Sequence, residues 1–97
     1  MFNEFVDNKE ILIKDLIEDV EKNCRHLSNL NVVSEYHSYK EIVEIGEQTI
    51  PYLLERIDKT VVWFNALRKI TGENPDKNHL GYMKQVTEDW KNWAKNN

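Results

Sequence analysis

Three histidines, one cysteine and a group of glutamates are the residues whose types could carry chemistry. His26, His37 and His79 fall in separate segments, and none has a second ligand three to five residues away, the spacing that recurs in zinc sites. No metal site and no cofactor is expected. Cys24 would serve as a nucleophile only beside a base and a positive charge that lower its pKa. It instead continues an apolar series after Val20, which is the setting of a small buried hydrophobe. Glu41, Glu44 and Glu47 recur three apart with Glu35 nearby, forming an acidic edge. Hydrolysis by paired carboxylates needs two such groups facing each other across a cleft with divergent pKa values. Nothing in the sequence builds that cleft, so the edge reads as a solvated face or a patch for a basic partner. Gly46, Gly72 and Gly81 are isolated, not a phosphate-binding loop. No catalytic residue is assigned and the chain is expected not to be an enzyme.

The elements that hold these residues follow from apolar spacing. Leu12, Ile13, Leu16, Ile17, Val20, Cys24 and Leu27 recur at three and four, one stripe of a first helix of about five turns starting near Asn8. Ser28-Asn29-Leu30-Asn31 is a turn-forming cluster, and Val32-Val33 reads as an extended or packed link. Ser38-Tyr39-Lys40-Glu41 has the form of a capping box opening a second helix, which buries Tyr39, Ile42, Val43 and Ile45 and stops at Gly46. Pro51 suits the first turn of a third helix through Tyr52, Leu53, Leu54 and Ile57. The second and third helices are expected to pair as an antiparallel hairpin. Thr60 can cap a fourth helix with Trp63, Phe64, Leu67 and Ile70 on its apolar face, ended by Gly72. Residues 73–81 read as a loop, and Tyr82, Met83, Val86, Trp90 and Trp93 define a last helix closing the core. The expected fold is all-α: about five helices and no strand, with short helical hairpins packed as a compact right-handed array or bundle. Residues 1–30 supply the N-terminal amphipathic helix and 36–97 the hairpins of one domain.

Composition bounds the function classes. At 97 residues with 40% hydrophobic content, the chain can enclose one core without a disulfide or metal. A single cysteine cannot form an intramolecular disulfide. Residues 1–14 lack the basic start and continuous apolar stretch of a secretory signal, which reads as a cytoplasmic protein. Apolar runs of three or four residues fall far short of the roughly 20 needed to span a bilayer. The net charge of -4 is unevenly placed: five basic and eleven acidic residues in 1–48, eight and six in 49–97. An acidic chain without a basic cluster lacks the surface on which nucleic-acid affinity rests. The acidic half instead favours a basic protein partner.

Ala66-Leu67-Arg68-Lys69-Ile70-Thr71-Gly72, followed after a polar loop by Trp90-Lys91-Asn92-Trp93, resembles the ending of many bacterial HEAT-like repeat proteins. His37-Ser38-Tyr39 with Ile42, Gly46, Ile50-Pro51 and Leu53-Leu54, then Trp63-Phe64, Ala66-Leu67 and Ile70-Thr71-Gly72, is similar to a family of small bacterial all-helical proteins. The resemblance covers residues 24–97. Ser38 stands where that family carries proline after the histidine, and the connection over residues 58–62 is short. These are helix-packing and helix-stopping positions, so the resemblance implies a fold and no activity. It also implies that the first and last helices cap a short array.

The resulting expectation is a non-enzymatic protein-interaction module, with an antitoxin- or immunity-like neutralising partner as its specific form. Glu35, Glu41, Glu44, Glu47, Trp90 and Trp93 are its candidate contact residues. Spacing sends Trp63 and Phe64 to the core, whereas one of Trp90 and Trp93, partly exposed, would be an interface anchor. The alternative is a small-ligand or nucleic-acid-binding regulator, the latter using Arg56, Arg68, Lys69, Lys84 and Lys91 as phosphate contacts. The sequence sets no oligomeric state.

Overall fold

The apolar series that begins at Leu12 winds into α1 (Asn8–Cys24), which buries Ile13, Leu16, Ile17, Val20 and Cys24 and leaves Ile11 and Leu12 exposed. The structure, a computed structural model, describes residues 8–24, 30–79 and 81–96. His26, Leu27 and the Ser28-Asn29 half of the turn cluster lie outside the described residues. Five further α-helices follow: α2 (Leu30–Glu35), α3 (His37–Ile45), α4 (Ile50–Leu54), α5 (Trp63–Thr71) and α6 (Met83–Asn96). No strand occurs among the described residues, so the all-α class holds and the five expected helices are present, though the third ends at Leu54 and not at Ile57, and Val62, not Thr60, takes the N-cap of the fourth. The addition is α2. Its Val32-Val33 pair has the β-branched side chains that weaken a helix, yet Val33 is buried, and packing outweighs propensity.

Two helix ends depend on glycine. α3 stops at Gly46 (φ 84°), whose N–H returns to the Ile42 carbonyl, and α5 stops at Gly72 (φ 72°), whose N–H returns to Arg68. Between α3 and α4 the chain makes one 3-10 turn, Gly46–Thr49, so Pro51 enters in the first turn of α4. α3 and α4 are not among the helix pairs that pack substantially, so the expected hairpin between them does not form. The most extensive pairing is α1 on α3, followed by α3 on α5.

The Ser38 capping box does not form. Tyr36 takes the N-cap position of α3 with no side-chain cap, and the Ser38 hydroxyl donates across the fold to Asp19 Oδ2 (2.5 Å). The Tyr36 hydroxyl and Asn23 Nδ2 also donate to Asp19, at 3.2 and 2.6 Å. One carboxylate thereby ties α1 to the start of α3, and the Ser38 bond, then those from Tyr36 and Asn23, hold its pKa below the ordinary value of 3.8.

The core gathers apolar side chains from every helix, with Val20, Ile42, Leu53, Trp63, Leu67 and Trp90 among its fully enclosed members. Tyr39 stacks on Trp63 (ring centroids 5.4 Å apart, 4° between planes) and donates its hydroxyl to the Val62 carbonyl at 2.7 Å. That burial pushes the Tyr39 phenol far up. At the core's edge Glu21 accepts three bonds: Trp63 Nε1 (2.7 Å), Arg56 Nε (2.9 Å) and Arg56 Nη2 (2.6 Å). The polar loop after α5 is held at both ends. Arg68 pairs with the fully buried Asp76, and His79 Nδ1 lies 2.6 Å from Asp89 Oδ2 on α6.

Candidate interaction surface

The interaction residues expected from sequence separate once they are placed. Glu35, Glu41, Glu44 and Glu47 are all exposed, as a solvated edge requires, and Glu35 pairs with Lys40 at 3.0 Å. Trp93 is partly exposed, whereas Trp90 is completely buried and packs edge-on against it at 5.5 Å. Trp90 is therefore a core residue and not a contact anchor. Its place on the inner face of α6 follows from Val86, four residues earlier and also buried. The indole N–H of Trp90 has no hydrogen-bond partner among the described residues.

Glu47 and Trp93, 46 positions apart, line the same open groove of about 440 Å³. Ile50, Pro51 and Leu54 of α4 form one wall, Trp93 and Ala94 of α6 the other, and Thr71 with Glu73 closes the end below α5. Pro51 fixes the entry of α4, and Gly72 turns the chain so that Glu73 reaches the rim. Five of the eight lining residues, Ile50, Pro51, Leu54, Trp93 and Ala94, are apolar and the two ionisable ones are carboxylates, so the groove can hold an apolar side chain beside a paired cation. Glu73 was not singled out in the sequence; its signal, a residue just past a helix-stopping glycine, says nothing about facing α4.

A second open groove, about 430 Å³, runs between α1 and α4 with Asp15, Glu18, Glu21 and Glu55 against Lys14 and Arg56. Lys14 lies 6.0 Å from the Tyr52 ring centroid and pairs with Glu10 at 3.0 Å. A third, about 400 Å³, lies where residues 57–61 meet the start of α6.

The candidate phosphate contacts do not assemble. Arg56 is held by Glu21, Arg68 by Asp76, and Lys91 by Asp58 at 2.8 Å. The Glu21 bond raises Arg56 further above its ordinary value, and the Asp58 bond raises Lys91. Lys69 and Lys84 are exposed on different helices. Three of the five cations are thus already paired with the fold's own carboxylates. Cys24 is buried, and burial followed by the Asp19 charge pushes its thiol up, the opposite of nucleophile activation. Among the described residues no group of three or more His, Cys, Asp or Glu is placed to hold a metal ion. Nor is any helix among them long and apolar enough to cross a membrane.

Fold and grooves together define a small all-helical domain that presents open, carboxylate-bearing surface grooves. No family model, no curated protein and no solved structure matches this chain.

Proposed function

We propose that this chain is a protein-interaction module without catalytic activity, and that it receives a basic partner segment in the Glu47–Trp93 groove. The observation that carries the reading is a mostly apolar lining with two carboxylates and no cation in one groove. An apolar residue of the partner would insert against Ile50, Leu54 and Trp93, and a flanking lysine or arginine would meet Glu47 or Glu73. The net charge of -4 adds long-range attraction for such a partner. Neutralisation of a basic protein, as an antitoxin or immunity protein does, is the specific role that the charge and small size accommodate. We read α3 to α5 as a short HEAT-like unit with α1 and α6 as its end caps. Support comes from α1 lying on α3 and from Trp90 of α6 plugging the core.

A photo-crosslinking residue placed at Ala94, within the groove, and separately at Glu41, on the exposed face of α3, tests the assignment in the native host. The expected result is one stoichiometric crosslink from position 94 to a segment carrying lysine or arginine beside apolar residues. Crosslinks from position 41 alone, or from neither position, would overturn it.

A further inference from the structure

Val61 and Met83 are two of the six large apolar side chains left exposed among the described residues, and both line the groove between residues 57–61 and α6. Tyr82, 68% exposed, adjoins Met83 in the chain. The α6 wall is a stripe: Met83 and Lys84 stand one turn before Thr87 and Glu88, on one face of the helix. Opposite them stand Lys59 and Asp58, the latter already paired with Lys91 of α6 at 2.8 Å.

Charge separates this groove from the other two. The Glu47–Trp93 groove has two carboxylates and no cation, and the α1–α4 groove has four carboxylates against two cations. Here two lysines meet two carboxylates. Two copies of a chain with net charge -4 repel across most of their surface. A groove whose lining is balanced in charge is where that repulsion is least. The α6 stripe is moreover self-complementary. When two such helices run antiparallel across a two-fold axis, Lys84 faces Glu88 of the partner subunit and Glu88 faces Lys84 of the partner subunit.

We infer that this face is a symmetric homodimer interface, α6 against α6, with Val61, Tyr82 and Met83 supplying its apolar contact. The inference is independent of the Glu47–Trp93 groove.

Sedimentation equilibrium of the full chain, from micromolar to about millimolar, tests it with three variants at exposed positions whose folding is checked by circular dichroism. Wild type is expected to dimerise. Glu88→Lys sets like charges opposite each other twice and weakens the dimer by about tenfold. Because the same change lowers the net negative charge, a general charge effect would strengthen association instead. The swap Lys84→Glu with Glu88→Lys keeps the net charge and restores the dimer to within about threefold of wild type. Val61→Lys shifts the chain to monomer. A wild-type chain that stays monomeric throughout overturns the inference. So does a dimer indifferent to Glu88→Lys and Val61→Lys, or one that the double swap fails to restore.

Discussion

Two tryptophans are fully buried, and the surroundings of their indole N–H groups differ. Trp63 donates its indole N–H to the Glu21 carboxylate, whereas the N–H of Trp90 has no partner among the described residues. A buried donor without an acceptor loses its hydration and gains nothing in return, while a bond to an ionised acceptor contributes about 1.5–3 kcal/mol. Trp63→Phe should therefore destabilise the protein by about 1–2 kcal/mol more than Trp90→Phe, since the second change also removes an unsatisfied polar atom. Urea unfolding midpoints at constant m decide it, and equal losses would contradict this account of Glu21. Asp19 gives a pH-dependent counterpart. Its carboxyl is held below 3.8 by Ser38 first and by Tyr36 and Asn23 after it. A depressed carboxylate contributes stability that is fully present above the unfolded pKa and is lost as pH falls through the folded one. Asp19→Asn should accordingly be less stable than wild type at pH 6, and the gap should narrow below about pH 4. A gap in thermal midpoints that is unchanged down to pH 3 would show that Asp19 acts by shape alone. Neither node was legible in the sequence, where Asp19 and Glu21 look like solvated positions beside an apolar stripe. Apart from Asn23, one turn on from Asp19, their partners lie 19 and 17 residues away for Asp19, and 35 and 42 for Glu21, separations that carry no periodic signal.

At the scale of elements, the glycine stops and the apolar stripes were readable because each is local. A residue that must follow a helix end with positive φ is glycine, and a face that packs repeats every three or four positions. The two stops nevertheless differ. Gly72 (φ 72°, ψ 7°) sits in the left-handed helical basin that asparagine tolerates, whereas Gly46 (φ 84°, ψ -135°) lies outside it. No atom lies within 4 Å of a Cβ added at either site, so the cost of substitution is conformational. Gly72→Asn should cost about 1 kcal/mol or less, and Gly46→Asn about 1–3 kcal/mol. Thermal unfolding of the two variants checks the order, and its reversal would mean that the end of α3 does not depend on this backbone shape. Elements set by distant packing were not readable. Ser38 and Glu41 match a capping box, but Asp19 on α1 takes the Ser38 hydroxyl instead. Val32-Val33 argues against a helix, and the burial of Val33 supplies one.

For the whole molecule, the uneven charge and the one partly exposed tryptophan were visible in the sequence, and their arrangement was not. Glu47 and Trp93 were each singled out, yet only the packing of α6 beside α4 puts them in one groove and adds Glu73. The same packing sends Trp90 inward and leaves Glu35, Glu41 and Glu44 away from the groove's lining. Elsewhere the fold pairs Arg56 with Glu21 of α1, Arg68 with Asp76 of the loop after α5, and Lys91 of α6 with Asp58, which turns three candidate phosphate contacts into internal ties. If the groove is the binding face, Trp93→Ala removes its central apolar contact, and Glu47→Lys with Glu73→Lys reverses the charge at its rim. Each should cut affinity for a basic partner by about tenfold or more; the glutamate pair should do so with little effect on folding because both are exposed, whereas Trp93→Ala also removes packing on Trp90 and is read beside its circular dichroism.

The most direct measurement is quantitative affinity purification of the tagged chain from its own host, with wild type, Trp93→Ala and the Glu47→Lys, Glu73→Lys double variant processed in parallel. The account predicts one stoichiometric basic protein with wild type that is depleted about tenfold or more by both variants. Undiminished recovery of that protein with both variants, or recovery of none with wild type, would contradict it.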